Sequence, residues 1–203
     1  MDNRNEVLER QGRVEKRLKE ETKRFVQCDK KIEEQVEKGY LKELGRVQDV
    51  KDEGFYIPVL PVTDKNRETT KTRMVLDCAA KFNVVSLNDT INAGPKLFDV
   101  TMRFRIYPFS INGYISEMIM QIMLDPKYYR IIWDGVAYQY TRTISGDCSS
   151  FFKANKVLKI HAANHQESFP EAVNTVMNAV YVDDALDSRC NVNKTNQTRR
   201  EIA

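Results

Sequence analysis

Asp183 and Asp184 form a pair of adjacent carboxylates at the end of an apolar run, "NAVYV", that is typical of a β-strand. Burying two like charges side by side costs free energy, so the pair needs either a compensating cation or exposure to water. Hard oxygen ligands suit Mg²⁺, and a bound cation would offset the repulsion between the two aspartates. A solvated turn without a metal is the alternative explanation of the same residues. The sequence therefore predicts a tight hairpin turn with a candidate metal site.

Helical and strand-like segments precede this turn along the chain. From Asn5 to Val47, apolar residues recur three, four or seven apart, which predicts one or two amphipathic helices with a break near Gly39. The heptad register drifts, which favours this interpretation over a coiled coil. Pro58 and Pro61 indicate extended backbone, and the polar stretch at 63–72 is typical of a hairpin tip before the strand-like "RMVLDCAA".

The second half of the chain supplies the elements nearest the aspartates. The segment "FSINGYISEMIMQIML" begins as a strand and passes into helical spacing beyond Gly113. The pair Asp134-Gly135 separates two β-rich runs and predicts a hairpin. The segment "FFKANKVLKIHAANHQ" predicts a helix, and Pro170 opens a second helix that leads into the strand, turn and strand of the aspartate pair.

The composition is that of an ordinary globular protein of 203 residues, with 41% hydrophobic and 30% charged residues. No run approaches the roughly 18 apolar residues of a membrane-spanning helix, and the N-terminus lacks a signal-peptide stretch, so we expect an intracellular, cytoplasmic protein without membrane contact. Four cysteines without a C-x-x-C pair argue against a zinc site and a disulfide framework. The net charge of +3 permits a basic groove but does not by itself indicate a nucleic-acid partner.

Five stretches, in this order, resemble the reverse transcriptase of BEL/Pao-type retrotransposon polyproteins. They are "GFYIPVLPV", "RMVLDCAAKFNVVSLNDTINAGP", "RFRIYPFSINGYISEMIMQI", "YQYTRTISGDCSS" and "FPEAVNTVMNAVYVDDALDS". Five motifs in collinear order are far more specific than any one of them. The resemblance implies an α+β fold of fingers and palm, with an antiparallel palm sheet backed by helices and an N-terminal helical segment before it. It also implies RNA-directed DNA polymerase ancestry, with Mg²⁺ as cofactor and an RNA or DNA primer-template and a deoxynucleoside triphosphate as partners.

The resemblance also implies roles for individual residues. Asp183 and Asp184, in "YVDD", match the catalytic, metal-binding aspartates. Arg73 matches a fingers arginine that contacts the incoming triphosphate, and a guanidinium group suits phosphate oxygens. Lys71 and Arg67 are weaker nucleotide-binding candidates on the same tip, where a solvated hairpin is the favoured interpretation. Ser145 and Gly146 begin "SGDCSS", which matches a Gly- and Ser-rich turn beneath the nucleotide and template.

The chain departs from the family pattern at the third metal ligand. The stretch "GYISEMIMQI" carries Tyr114 where the family has an aspartate. An uncharged phenol adds bulk and supplies no charge to cations beside the two aspartates, so we expect a loss of polymerase activity of roughly a thousandfold or more. Ile119 stands where the family has an aromatic residue against the nucleotide sugar, and Phe151 replaces a proline.

These observations predict three segments, which are an amphipathic helical segment at 1–47, a partial reverse transcriptase domain at 48–190 and a polar, frayed tail at 191–203. Because the chain stops soon after the aspartate pair, we expect it to lack a thumb. The leading hypothesis is a retrotransposon-derived reverse transcriptase fragment that is catalytically inactive. The alternatives are a nucleic-acid-binding module without catalysis and a translated remnant of a mobile element without selected activity. The sequence leaves the oligomeric state open.

Overall fold

The structure is a computed structural model that describes residues 2–63, 72–92, 104–124 and 129–202. The chain forms two compact units. Unit 1 comprises Met1–Asn92 and Met123–Cys148, and unit 2 comprises Ala93–Ile122 and Ser149–Ala203. Each unit is therefore assembled from two separate stretches of the chain.

The described part of unit 1 contains α-helices, a three-stranded sheet and two hairpins. The helices are α1 (Arg4–Glu20), α2 (Thr22–Glu37) and the short α3 (Leu87–Thr90). The antiparallel sheet joins β1 (Leu41–Arg46), β8 (Val136–Tyr140) and β7 (Arg130–Trp133) in that order. In the hairpins, β2 (Val59–Thr63) pairs with β3 (Thr72–Leu76), and β4 (Lys81–Phe82) pairs with β5 (Val85–Ser86).

Helix α1 is packed into unit 1 and does not stand apart from it. Its apolar stripe buries Val7 and Leu18, as an amphipathic helix on a core does. Just before the helix, the Asn3 side-chain amide donates to the Tyr56 carbonyl at 2.9 Å, and its oxygen accepts from the Tyr56 N–H at 2.7 Å. Gln11 accepts from the Val59 N–H at 3.2 Å. These directional bonds fix the register of the helix, which apolar contacts alone leave less defined.

The predicted amphipathic helices are confirmed, but the break between them lies elsewhere. The chain breaks at Glu21, between α1 and α2. Gly39 instead ends the helical region just beyond α2, where its φ of +69° lies in the left-handed region that favours glycine. The chain then turns into β1.

The hairpin predicted at Asp134-Gly135 is confirmed. The two residues have φ values of +46° and +74°, as the central residues of a type I′ turn between strands require. The turn is held by α1, because Glu15 accepts from the Asp134 N–H at 3.0 Å and Lys19 Nζ lies 2.6 Å from the Asp134 carboxylate. Burial raises the pKa of the Glu15 carboxyl, and the bond from Asp134 offsets part of that rise.

The described part of unit 2 contains a small antiparallel sheet with helices. The sheet order is β6 (Phe109–Tyr114), β10 (Asp184–Arg189) and β9 (Val180–Tyr181). The helices are α4 (Ser150–Ala163), α5 (Pro170–Ala179) and α6 (Val192–Ile202). Along β10, Ala185, Asp187 and Arg189 are buried on the face that packs against α5. The opposite face carries Asp184 and is more open.

Two predicted elements differ from the structure. Beyond Gly113 the chain forms only a short 3-10 turn at Met118–Gln121 and no full helix, because strand pairing continues to Tyr114 and Ile115. The described part of the predicted tail is not frayed, because α6 packs on α5: the Glu201 carboxylate accepts from the Glu171 and Ala172 N–H groups at 2.9 and 3.0 Å. The predicted segment boundaries at 47 and 190 stay a prediction.

No helix within the described ranges is long and apolar enough to cross a membrane.

Candidate functional site

The aspartate pair sits at a two-residue hairpin turn, as predicted. Asp184 begins β10 and pairs with Tyr181 of β9, so Val182 and Asp183 form the turn. Val182 has a φ of +57°, which is unfavourable for a β-branched residue. The neighbouring strand supports this backbone, because the Ile115 N–H donates to the Asp183 carbonyl at 2.8 Å. The turn is therefore a strained corner that is held from the side of β6.

Tyr114 lies directly opposite Asp184 in the sheet. The register of β6 and β10 pairs the two Cα atoms, and directly opposite side chains share one face with their Cβ atoms about 4.5–5.5 Å apart. The Tyr114 side chain is 67% exposed. The position at which the resemblance implies a third carboxylate is thus brought to the aspartates, and in this chain it carries an uncharged phenol.

The donor set at this corner does not fit a centre for two divalent cations. Within the described ranges, no three His, Cys, Asp or Glu side chains come together in a way that could hold a metal ion. Asp183 and Asp184 supply two carboxylates, and the third acidic arm that would bridge two cations is replaced by Tyr114. Of the three acidic positions that the resemblance implies, two carry carboxylates in this chain and the third carries Tyr114.

A buried polar network supports β10 behind the aspartate pair. Arg189 Nη1 donates to Asp187 Oδ2 at 2.5 Å, and its Nη2 donates to Thr175 Oγ1 at 2.9 Å. The Thr175 hydroxyl in turn donates to Asp187 Oδ2 at 2.7 Å, and Arg189 also reaches the Glu171 carboxylate at 3.3 Å. Because removing one partner would leave a buried charge unpaired, this network fixes the register of β10 on α5.

Among the fingers candidates, Arg73 lies in unit 1, on β3 opposite Val62. Its side chain is exposed and makes no ion pair within the described part of the chain. An unpaired guanidinium group on a hairpin strand is free to meet a phosphate. Lys71 and Arg67 lie outside the described residues.

The turn that contains Ser145 and Gly146 also lies in unit 1. Gly146 has a φ of +111°, and a Cβ atom there would come within 2.6 Å of the Leu76 carbonyl oxygen. The Asn88 side chain clamps the turn, because its amide donates to the Gly146 carbonyl at 3.0 Å and its oxygen accepts from the Cys148 N–H at 2.9 Å. Ser145 and Gly146 are both exposed. Their exposed backbone is thus held in a fixed shape that a side chain at 146 would disturb.

A second buried bond secures the same turn. The Tyr129 hydroxyl donates to Asp147 Oδ2 at 2.6 Å, and both residues are buried. Burial raises the pKa of the Tyr129 phenol, and the bond to the Asp147 carboxylate raises it further. Asn88 and Tyr129 were not among the predicted site residues, because each reaches the turn from a distant part of the sequence.

The structure thus brings Asp183, Asp184 and Tyr114 together in unit 2. Ile119 belongs to the same unit, in the 3-10 turn, and is half-buried. Arg73 and the turn of Ser145 and Gly146 belong to unit 1. The roles assigned to all these residues stay predictions.

Solved structures of foamy virus protease-reverse transcriptase resemble this chain. The structure in complex with an RNA/DNA hybrid matches with a TM-score of 0.61 at 18% identity, over 89% of this chain and 22% of that chain. A selenomethionine-labelled CSH mutant of the prototype foamy virus protein gives 0.58 at 19% identity, over 84% and 20%. The structure in complex with double-stranded DNA gives 0.56 at 17% identity, over 83% and 26%. The fold is that of a reverse transcriptase.

This reverse-transcriptase-like fold confirms the predicted α+β class of fingers and palm. At such identities the likeness establishes the fold alone, and the chain spans between about a fifth and a third of the length of the foamy virus chains. No protein-family model and no curated protein sequence matches the chain. The assignment to the BEL/Pao type therefore stays a prediction.

Proposed function

We propose that this chain is a reverse transcriptase domain of the BEL/Pao type whose polymerase centre is disabled. The observation that supports this proposal is the register of β6 and β10, which sets Tyr114 against Asp184. The reverse-transcriptase-like fold supports the proposal together with the resemblance, which assigns the catalytic acids to this hairpin.

The expected size of the defect follows from the lost charge. Nucleotidyl transfer by two cations depends on acidic ligands that hold both ions in place. Replacing one such ligand with a phenol removes several kcal/mol of transition-state stabilisation, and about 1.4 kcal/mol corresponds to a factor of ten in rate. The remaining rate is therefore about a thousandth or less of that of an intact centre.

Metal binding provides the first test. We expect the natural chain to show no tight Mn²⁺ site by electron paramagnetic resonance, whereas Tyr114→Asp gains at least about tenfold in Mn²⁺ affinity, because a third carboxylate joins Asp183 and Asp184. Tyr114→Asn is the matched control, since it removes the ring without adding charge. A tight Mn²⁺ site in the natural chain that Asp183→Asn removes would contradict the proposal.

Primer extension provides the second readout of the same change. On a poly(rA) template with an oligo(dT) primer and Mg²⁺ or Mn²⁺, the natural chain should give no extension above background. Extension by the natural chain that disappears in Asp183→Asn would show that the centre is active.

A second candidate function is nucleic-acid binding without catalysis. The foamy virus neighbours have been solved with double-stranded DNA and with an RNA/DNA hybrid, and this chain shares their fold. The exposed Arg73 and the fixed, exposed turn at Ser145 and Gly146 offer a cation and backbone groups of the kind that contact phosphates. In this function Arg73 contacts phosphate oxygens, including those of a deoxynucleoside triphosphate, and the chain holds a primer-template that it does not extend.

A further inference from the structure

Two tyrosines flank Asp184 on the open face of the unit 2 sheet. The register pairs Asp184 with Tyr114 on one side and with Tyr181 on the other. Directly opposite residues of antiparallel strands point to the same face, so the three side chains form a row across β6, β10 and β9. Tyr114 is 67% exposed and Tyr181 is 46% exposed. The row therefore presents two aromatic rings to solvent with a carboxylate between them.

The spacing of the row suits one flat ring. Neighbouring strands lie about 4.8 Å apart, so the backbones of Tyr114 and Tyr181 are roughly 10 Å apart across β10. A planar ring held between two others needs a contact of about 3.5–4 Å on each face, or about 7–8 Å in total. Tyrosine side chains are long enough to tilt toward each other and reduce the separation of roughly 10 Å to the 7–8 Å that the ring requires. A single aromatic ring can thus enter between them above Asp184.

The three groups are free to take a ligand. Among the described residues, neither tyrosine ring contacts another aromatic ring, in contrast to the stacked pair of Phe25 and Trp133 in unit 1. Within the same ranges the Asp184 carboxylate makes no hydrogen bond or ion pair. Large exposed aromatic side chains beside an unpaired hydrogen-bond acceptor are typical of binding surfaces.

We propose that Tyr114 and Tyr181 form a stacking site for an unpaired nucleobase, with Asp184 accepting hydrogen bonds from the base edge. This inference rests on the second candidate function, nucleic-acid binding without catalysis. Stacking on aromatic side chains is how proteins hold unpaired bases. Guanine is the preferred base, because its N1–H and N2–H₂ groups offer adjacent donors to one carboxylate, whereas adenine and cytosine offer a single amino group.

The charge of the corner favours a base over a phosphate. Without cations, Asp183 and Asp184 repel a triphosphate or a sugar-phosphate backbone, whereas a base edge with N–H donors is attracted. A base within a duplex has its donors paired and its faces stacked, so the site selects single strands. Tyr114 thus supplies the second aromatic ring of the stacking site. An aspartate at the same position would instead be a third metal ligand.

The test uses the full chain and a fluorescein-labelled ten-nucleotide RNA made of uridines with one central guanosine, followed by fluorescence anisotropy. We expect Tyr114→Ala and Tyr181→Ala each to weaken binding by about 5- to 150-fold, which is typical of the loss of one stacking interaction between a base and an aromatic side chain. Tyr114→Phe should bind as the natural chain does, because it keeps the ring. Tyr107→Ala is the matched control, since Tyr107 is 50% exposed and lies outside β6, and it should change nothing.

Base preference is measured with the same RNA carrying adenosine or uridine at the centre. The natural chain should bind the guanosine RNA at least about fivefold more tightly, and Asp184→Asn should abolish this preference while stacking persists. If Tyr114→Ala binds as tightly as Tyr107→Ala does, the proposed stacking site is contradicted, whereas the proposal of nucleic-acid binding is not. If the natural chain binds none of these RNAs but still binds a duplex, only this inference fails, and if it binds neither, the nucleic-acid proposal fails with it.

Discussion

At the scale of single residues, the hairpin turn at Asp183 and Asp184 could be predicted because an apolar, strand-like run precedes the two aspartates. The position of Tyr114 beside the aspartates could be predicted from the resemblance of "GYISEM" to the family stretch, and the pairing of Tyr114 with Asp184 in the sheet agrees with that prediction. Asn88 and Tyr129 were not recognisable as site residues. They act on the turn at 145–148 through side-chain bonds across 58 to 60 and 18 residues, and no local pattern encodes such contacts.

Gly146 gives a prediction at this scale. Gly146→Ala should lower the free energy of unfolding of unit 1 by about 2–3 kcal/mol, because it adds left-handed strain and a contact with the Leu76 carbonyl. Urea unfolding followed by the fluorescence of Trp133, the single tryptophan, measures the change. Gly39→Ala is the matched control, since Gly39 has a φ of +69° but open space around it, and should cost about 1 kcal/mol. Equal losses in the two variants would exclude the clash.

At the scale of elements, periodicity predicted the helical region of α1 and α2 and the helices α4 and α5, although it placed the break in the first region near Gly39 and not at Glu21. The Asp134-Gly135 pair predicted the β7–β8 hairpin. The prediction failed where short elements depend on their neighbours. Apolar spacing after Gly113 indicated a helix, yet the pairing of β6 with β10 continues to Tyr114, and only a 3-10 turn at Met118–Gln121 follows. The tail was predicted to be frayed because it is polar. The prediction failed because the Glu201 carboxylate anchors this polar helix to the N-terminus of another helix.

The β4–β5 hairpin gives a prediction at this scale. Its turn residues Asn83 and Val84 have φ values of +49° and +77°, which a type I′ turn requires and which a valine adopts at a cost of order 1–3 kcal/mol. Val84 is 82% exposed, so its side chain contributes little packing. Val84→Gly should therefore raise the free energy of unfolding of unit 1 by about 1 kcal/mol, after the entropy cost of glycine. The measurement is the same urea titration.

The control for that variant is Val75→Gly, an exposed valine in β3 without a positive φ. It should destabilise unit 1, because glycine weakens a strand without relieving strain. A loss of stability in both variants would mean that the turn at Val84 is not strained.

At the scale of the whole molecule, the sequence predicted the fold class through the collinear motifs, and the reverse-transcriptase-like fold agrees. Composition could not predict that each unit draws on two stretches of chain. That arrangement depends on pairings such as Leu41 with Tyr140, which lie far apart in sequence.

Charge gives the prediction for the molecule as a whole. A net charge of +3 is small, so in the proposed nucleic-acid-binding function a few local cations such as Arg73 would supply the contacts to a primer-template duplex. The logarithm of the affinity should fall linearly with the logarithm of the salt concentration, with a slope near −0.9 for each phosphate contacted. Arg73→Gln should reduce the slope by about one, and Arg46→Gln, an exposed arginine on β1, should leave it unchanged. An affinity that does not change with salt would remove the nucleic-acid candidate.

The pairing of β1 with β8 also shapes how the protein is made. The ribosome synthesises Leu41 about 100 residues before its partner Tyr140. At roughly 5–20 residues per second, β1 is therefore without its pairing strand β8 for about 5 to 20 seconds. During that interval its backbone is an uncovered edge that can pair with other nascent chains. Rapid translation or a chaperone that shields this strand should therefore govern the yield of properly folded product.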